Sequence, residues 1–393
     1  MPVHEIKCKS FINRMPDTFF AMRHLPFRYT ANPYRGCSHG CVYCYAACTH
    51  YYMKSQPDAF CSDIYVKTNC TEVLDSELKR FEKLGRKSIL IVGNVSDAYQ
   101  PIEMKYRLTR KILSICLKHN YPLFIETKSP LILEDLDLFR ELGKRELIGV
   151  GMTITSCDEA FTRLVEPRVP RKKYSDHTDS IEDMKILTLK TLSSEGIDTY
   201  LHITPYFPII TEKDLEKIVN DASKAKVTSI IMAPLELTRG IQKRLNAALQ
   251  NTAYAYLISL YNSLYFEKGR RLGGRFTTSQ EEHFRVEKKV AELCKKFNVK
   301  YWSFTNLQFN TYQIDQGIYK WGYPVLNSYY KLIQEKGRIT LKDAVGLAKL
   351  FPVDNRYLSA LKDYWRNGKL FEGIHGIKYL SQDEIMDDSK HDG

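Results

Sequence analysis

The chain contains no apolar stretch that approaches the roughly 20 residues of a membrane-spanning helix. Residues 1–9 also lack the apolar core of a secretory signal peptide. These two absences exclude an integral membrane protein and predict a cytoplasmic protein with no membrane partner. With 393 residues, of which 44% are hydrophobic, the chain can bury one large core and a smaller second one.

The sequence also lacks the cysteine pattern of a disulfide framework and a second Cys-x-x-Cys step that would complete a zinc ribbon. Six of its ten cysteines are scattered singly along the chain, namely Cys8, Cys61, Cys70, Cys116, Cys157 and Cys294. This distribution favours a reducing compartment.

Three cysteines stand apart from that pattern. Cys37, Cys41 and Cys44 lie within the run of residues 32–46 and are separated by three and then two residues. We call residues 36–44 the cysteine loop. Three cysteines within eight residues, flanked by Gly36, Ser38, His39 and Gly40, are not what packing in a core predicts. Thiolates at this spacing can hold three corners of a four-iron, four-sulfur cluster and leave the fourth iron open to a substrate or cofactor.

Two alternatives use the same cysteines. A zinc ion needs four ligands, and His39, Cys48 and His50 lie close by in sequence. Cys48 could also close the cluster as the last cysteine of a ferredoxin run does, although the first gap in such runs is two residues and here it is three. The sequence leaves open whether Cys48 is a ligand.

The formal charge of +12 is carried by the larger, amino-terminal part of the chain. Residues 326–393 hold 11 Lys and Arg against 10 Asp and Glu, a net +1, so that the preceding residues carry 12 − 1 = +11. Basic clusters interleaved with aromatic residues could follow a phosphate backbone, and a solvated basic surface is the alternative. The clusters are Arg23 to Arg35, Arg163 to Lys173, and Arg270 to Arg275.

Short apolar runs alternate with amphipathic segments over residues 73–232, which predicts an α/β fold with a parallel sheet covered on both faces. A partial or full β/α barrel is the expected architecture, with its chemistry at the carboxyl ends of the strands. The predicted helices are 73–84, 105–119, 133–142, 181–195 and 212–225, and the predicted strands are 88–93, 121–127, 147–154, 198–204 and 227–232.

The cysteine loop resembles the signature of the radical S-adenosylmethionine superfamily. Residues 92–103, with their Asp-x-Tyr-Gln-Pro-x-Glu run, Thr-Lys-Ser at 127–129 and Glu-Pro-Arg at 166–168 narrow the resemblance to its spore photoproduct lyase-like branch, over residues 20–240. The resemblance implies one 4Fe-4S cluster on Cys37, Cys41 and Cys44 and a bound S-adenosyl-L-methionine. It places Tyr43 near the adenine and, with Gly93 at a strand end, assigns cofactor contacts to Ser96, Lys128 and Thr153.

The sequence departs from the photolesion-repair enzymes of this branch at one position. Those enzymes carry a cysteine near the position of Asn94 that returns a hydrogen atom to the product radical, and residues 93–99 here contain none. Tyrosines, with Tyr99 as the catalytic candidate, or a cysteine brought in by the fold would have to supply the hydrogen atom instead.

The tail has the helix and hairpin order of a winged helix, with a predicted helix at 341–350 and a would-be recognition helix at 355–366. The resulting division of the chain is an amino-terminal extension at 1–30, the radical S-adenosylmethionine barrel core at 31–240, a helical and aromatic extension at 241–325, a winged-helix-like domain at 326–380 and a disordered acidic tail at 381–393.

Together these features predict an enzyme that reductively cleaves S-adenosylmethionine to a 5′-deoxyadenosyl radical and abstracts hydrogen from a nucleic acid or nucleotide. A ferredoxin or flavodoxin would supply the electron. The alternatives are radical modification of a peptide or protein side chain and, from another class, a non-catalytic iron-sulfur or zinc protein that binds nucleic acid.

Overall fold

The computed structural model describes residues 2–14, 29–53, 57–84, 89–170, 181–272, 274–302 and 340–349. It contains strands β1 Val3–Ile6, β2 Asn13–Arg14, β3 Tyr29–Ala31, β4 Tyr34–Arg35, β5 Ile64–Lys67, β6 Leu90–Val92, β7 Leu123–Thr127, β8 Ile148–Thr153, β9 Asp198–Tyr206, β10 Ser229–Pro234, β11 Arg270–Leu272, β12 Arg275–Thr277 and β13 Tyr301–Trp302.

Helices cover the connections between these strands. They are α1 Cys70–Lys83, α2 Glu103–Tyr106, α3 Leu108–Lys118, α4 Leu136–Lys144, α5 Glu159–Val165, α6 Ile181–Ser194, α7 Ile210–Lys224, α8 Arg239–Leu249, α9 Tyr256–Asn262, α10 Gln280–Lys296 and α11 Leu341–Lys349. Three 3-10 helices span Tyr45–Met53, Pro57–Cys61 and Pro130–Asp135, and a π-helical turn spans Ser263–Glu267. None of the described helices combines the length and the apolar character that a membrane crossing requires.

The main sheet has eight strands in the order β13-β10-β9-β8-β7-β6-β3-β2. Every neighbouring pair is parallel except β2 and β3, and successive strands from β6 to β10 lie side by side. The expected partial β/α barrel with a mostly parallel sheet is therefore confirmed. A second sheet, in the order β1-β5-β4, leads into the cysteine loop through β4, and β11 and β12 form an antiparallel hairpin.

The strands are apolar on both faces because both faces are covered. On β7, Leu123 and Ile125 belong to the core beneath the helices. Phe124 points to the other face, where its ring lies 5.5 Å from that of Tyr200 and 6.1 Å from that of His202 on β9. The sheet thus has an outer layer of helices and a packed interior face.

The predicted elements agree closely with the observed ones, apart from one predicted helix. The run predicted as a helix over 105–119 is interrupted at Arg107, whose φ is 51°, so that α2 and α3 are separate helices. In the tail, α11 coincides with the predicted helix at 341–350, and Thr340 caps it through a hydrogen bond from the Asp343 amide. The rest of the winged-helix-like domain and the acidic tail lie outside the described residues, and the domain boundaries stay predictions.

Gly151 on β8 makes the interior packing possible. A Cβ atom at this position would lie 2.5 Å from Cε1 of His202 and 3.0 Å from Cζ of Phe124. We therefore expect Gly151→Ala to destabilise the protein by about 1–3 kcal/mol, the usual cost of overpacking a core. Urea denaturation of the apoprotein measures this change.

Gly240→Ala is the matched control for that substitution. Gly240 is an exposed residue of α8, and the nearest atom to its added Cβ would be 3.7 Å away. We expect it to change the unfolding free energy by less than about 1 kcal/mol, in the stabilising direction, because alanine favours the helix. Equal stability of the two variants would contradict the packing assigned to Gly151.

Candidate active site

The cysteine loop follows β3 and β4 at the end of the main sheet where the parallel strands finish. Cys37 is buried, and Cys41 and Cys44 are partly exposed. Gly36 makes the turn into the loop with a φ of 87°, and a Cβ there would lie 2.4 Å from the Asp63 carbonyl oxygen, so only glycine fits. The amide of Cys37 donates to the carbonyl of Phe60 over 2.9 Å.

Two arginines hold the backbone of the loop. Arg168 donates from Nε to the carbonyl of Ser38 at 2.8 Å and from Nη2 to that of Cys61 at 2.9 Å. Arg244, on α8, donates from Nε to the carbonyl of Val42 and from Nη2 to that of Cys44, both at 3.0 Å. These fork-shaped contacts satisfy carbonyl groups that have no ladder to join.

The run at residues 97–103 braces the same loop. The side chain of Gln100 accepts from the Ser38 amide at 2.9 Å and donates to the Gly36 carbonyl at 3.1 Å. Asp97 accepts from the Thr127 hydroxyl at 2.7 Å and from the Lys128 amide at 2.8 Å. The motif that supported the resemblance therefore has a structural role, which is to join the loop to the ends of β6 and β7.

A buried charge network lies behind Tyr43. Its hydroxyl donates to Oε1 of Glu166, whose Oε2 accepts from Lys185 Nζ at 3.2 Å. Burial alone would raise the pKa of Glu166, but the charges of Lys185 and Lys128 outweigh it and hold that pKa at about 2. Glu166 is therefore ionised and fixes the orientation of the tyrosine ring.

Lys128 lies at the end of β7 with its Nζ 5.8 Å from the centre of the Tyr43 ring. Burial lowers the pKa of Lys128, but the negative charges around it, Glu166 first among them, raise it more, so the net shift is upward and the ammonium is charged. Two residues earlier, burial raises the pKa of Glu126 to about 7 despite the opposing charge of Lys128. The Lys128 ammonium and the Glu126 carboxyl, which titrates near neutral pH, thus lie next to the loop.

The donor set fits a cluster. Burial raises the pKa of all three loop thiols, so they carry protons that bound iron would displace. Ser38 Oγ and His39 Nε2 on the same loop are buried with no hydrogen-bond partner, and cluster sulfur atoms accept such bonds. No three His, Cys, Asp or Glu side chains in the described ranges lie close enough to hold a single metal ion. In a cubane each thiolate binds a different iron.

The other predicted cofactor contacts lie at neighbouring strand ends. Ser96 is buried and its hydroxyl donates to the Tyr34 carbonyl at 2.7 Å. Gly93 has a φ of 96°, and its position tolerates no Cβ because the Glu126 carbonyl would be 2.4 Å away. Thr153 ends β8 and is the register partner of His202. Their cofactor contacts stay predictions.

Tyr99, the predicted catalytic residue, belongs to a different network. It is buried, and its hydroxyl donates at 3.0 Å to Asp135. Asp135 is in turn paired with Arg107 at 2.7 Å and Arg110 at 3.0 Å. These contacts give Tyr99 a structural role beneath the helices, and its role as a hydrogen donor stays a prediction that they do not support.

Several residues of the site could not be found from sequence. Arg244 is 200 residues away from Cys44 in the chain, and Lys185 lies within an amphipathic helix with no motif around it. His202 faces the barrel interior, and burial lowers its pKa to about 3, so its imidazole is neutral. Of the residues that surround the cysteine loop, Glu166 and Arg168 do have a sequence signal, because they lie in the Glu-Pro-Arg run.

The fold and this loop define a class of protein, a parallel β/α barrel with a three-cysteine cluster loop at the carboxyl edge of its sheet. Residues 31–222 match the family model described as the radical SAM superfamily. An uncharacterized protein of Mycobacterium tuberculosis is 30% identical over 299 residues, covering 75% of this chain and 81% of that protein. An uncharacterized protein of Methanocaldococcus jannaschii is 34% identical over 197 residues, which is 49% of this chain and 65% of its own length.

Among solved structures, spore photoproduct lyase complexed with dinucleoside spore photoproduct superposes with a TM-score of 0.56 and 14% identity, over 77% of this chain and 81% of that one. A mutant of spore photoproduct lyase gives a TM-score of 0.57 and 15% identity over the same shares of the two chains. At this identity the likeness establishes the fold. The chain belongs to the radical S-adenosylmethionine superfamily and is a radical S-adenosylmethionine enzyme, with the 4Fe-4S cluster and S-adenosylmethionine that the family uses.

Whether Cys48 is a ligand decides between a cluster with three cysteine ligands and an open iron and a cluster closed by a fourth cysteine. It is exposed on the 3-10 helix Tyr45–Met53, and its thiol donates to the Tyr45 carbonyl at 3.1 Å. We expect Cys37→Ala, Cys41→Ala and Cys44→Ala each to lose the visible absorption of the reconstituted protein, whereas Cys48→Ala keeps about four irons per chain. A bleached Cys48→Ala protein would make Cys48 a fourth ligand.

Proposed function

We propose that this enzyme abstracts a hydrogen atom from a nucleic acid or nucleotide held over the barrel. The observation that carries this proposal is a basic and aromatic surface at the hairpin of β11 and β12. Arg239 lies over the ring of Phe266 at 4.1 Å and over that of Phe276 at 5.3 Å, and Arg271 lies 5.8 Å from Phe276. Phosphates and stacked bases are the groups that such a surface binds.

The hairpin adjoins the cysteine loop. Glu236 accepts a hydrogen bond from Arg275 at 2.7 Å and raises its pKa, and Tyr45 and Cys48 lie near enough to contribute to that shift. Tyr45 in turn donates to the Asn94 carbonyl at 2.5 Å, at the end of β6. A strand bound along the hairpin would therefore reach the mouth of the barrel. The similar solved structure named above holds a dinucleoside, which agrees with this substrate class.

The chain's own residues divide the work at the mouth. Cys37, Cys41 and Cys44 would hold the cluster, and Lys128 would pair with the carboxylate of S-adenosylmethionine. Tyr43, fixed by Glu166, would lie against the nucleoside half, with Thr153 and Ser96 at the flanking strand ends. The chemistry that the cluster and S-adenosylmethionine would supply when bound is reductive cleavage to methionine and a 5′-deoxyadenosyl radical, with the electron coming from the reducing partner. The protein supplies placement and excludes water.

Repair of a spore photoproduct by the usual hydrogen return does not fit this chain. The position near which the repair enzymes carry a cysteine holds Asn94, whose Oδ1 accepts from the side chain of Asn32 at 3.0 Å. We propose modification or repair of a nucleic acid with a different hydrogen donor. Radical modification of a peptide side chain is the competing outcome of the test below.

Glu126 makes cofactor binding dependent on pH. Its pKa of about 7 means that it loses its proton between about pH 6 and 8, and the carboxylate then competes with S-adenosylmethionine for Lys128. We expect cofactor affinity to fall several-fold over this range in the wild type and to stay constant in Glu126→Gln. Equilibrium dialysis under anaerobic conditions measures both. If the cofactor affinity of Glu126→Gln still changed with pH over this range, Glu126 would not be the group responsible.

Nucleic-acid binding should be steeply salt-dependent. Fluorescence anisotropy with single-stranded, duplex and structured RNA probes should give a slope of about 0.7 per neutralised phosphate for single strands and about 0.9 for duplex DNA. Arg239→Gln and Arg271→Gln should each lower the affinity. Each should also lower the slope of log K against log salt concentration by the amount expected for about one phosphate. Nucleic acid should also stimulate the formation of 5′-deoxyadenosine.

The control variant for this test is Arg140→Gln. Arg140 pairs with Glu195 through two hydrogen bonds of 2.6 Å, on the side of the sheet where strands begin. It should bind the probes as the wild type does. Binding that is undetectable or independent of salt for every probe would favour a peptide substrate instead.

A further inference from the structure

Two positive charges are fixed on the backbone that carries the cluster ligands. Arg168 contacts the carbonyl of Ser38, next to Cys37, and Arg244 contacts the carbonyl of Cys44 itself. Arg168 also lies against Gly40, where a Cβ would be 2.6 Å from its Nη2. Both guanidinium groups are therefore held within a residue of a cluster ligand.

Neutral carbonyl groups receive these hydrogen bonds. Within the described part of the chain, the bonds of Arg168 end on Ser38 and Cys61, and those of Arg244 end on Val42 and Cys44. The nearby lysines differ in this respect. Lys185 is paired with Glu166, and Lys128 is assigned to the cofactor carboxylate. Neither arginine forms an ion pair with a carboxylate among the described residues.

We propose that the charges of Arg168 and Arg244 raise the reduction potential of the cluster and so bring it within reach of its electron donor. The inference rests on the assignment of the cluster to the three cysteines. In this step the cluster core gains one electron and passes from the 2+ to the 1+ state, the donor loses one electron, and no bond forms. Positive charge near the cluster stabilises the more negative, reduced form.

The charge can be separated from the hydrogen bonds by paired substitutions. Arg168→Gln and Arg244→Gln remove the charge and keep one donor group, whereas Arg168→Lys and Arg244→Lys keep the charge and lose the fork. Each single variant leaves the other arginine in place, so that two of the four contacts between arginine and backbone carbonyl remain. Arg140→Gln removes a surface charge that is paired with Glu195 and serves as the control.

The measurement is a potentiometric titration of the anaerobically reconstituted full-length protein, without S-adenosylmethionine, followed by the electron paramagnetic resonance signal of the reduced cluster. We expect each glutamine variant to lower the equilibrium constant for reduction by about tenfold or more, because one unit charge at about 12 Å in a medium of effective dielectric about 20 has this effect and a nearer charge has a larger one. The lysine variants and Arg140→Gln should stay within about twofold of the wild type.

Two results would overturn the inference. The first is a wild-type potential in the glutamine variants. The second is a lysine variant whose reduction potential falls as far as the fall expected for the glutamine variant. If a glutamine variant fails to hold a cluster, the lysine variant alone decides the question. A wild-type protein that binds no cluster would overturn the assignment beneath the inference, and the inference with it, which distinguishes that failure from the other two.

Discussion

The satisfaction of backbone carbonyl groups in the cysteine loop is the constraint on which the site depends. Between Arg35 and Tyr45 the loop forms no strand or helix of its own, and an unpaired buried carbonyl costs about as much as a lost hydrogen bond. Arg168, Arg244 and Gln100 supply the missing partners. Because these residues come from the segment just after α5, from α8 and from the segment after β6, the geometry of the three thiols is set by the whole barrel.

The charged groups around the loop also explain why two of its neighbouring carboxyl groups differ in pKa. Glu166 is buried and ionised because Lys185, Lys128 and Tyr43 surround it, so its role is to hold the tyrosine rather than to exchange protons. Glu126 has no comparable set of partners and titrates near neutrality. Identical carboxyl groups therefore take a structural and a pH-sensitive role according to how many cations face each of them.

Local signals are enough to predict the sheet and most helices, whereas the three cluster ligands stay predictions. Apolar runs such as residues 88–93 are typical of strands covered on both faces, and the spacing of Cys37, Cys41 and Cys44 has few chemical uses. Contacts between distant segments were beyond local signals, because Arg244 and Lys185 have no motif and are placed only by the crossing of helices over the sheet. Residue type alone makes Tyr99 a catalytic candidate; the fold directs its hydroxyl to Asp135, and its role as a hydrogen donor stays a prediction. The break in the helix at Arg107 cannot be predicted from the sequence, because a left-handed residue that is not glycine leaves no mark in the hydrophobic pattern.

The distance along the chain between Cys44 and Arg244 has a consequence for biogenesis. The cysteines leave the ribosome 200 residues before the arginine that holds two of the loop's carbonyls. A nascent chain that has only reached α5 has all three thiols and neither the Arg244 contact nor strand β9. Iron and sulfide delivered at that stage would meet a loop that lacks its final shape. Cluster insertion is therefore expected to follow synthesis of α8, with the barrel itself serving as the template for the metal site.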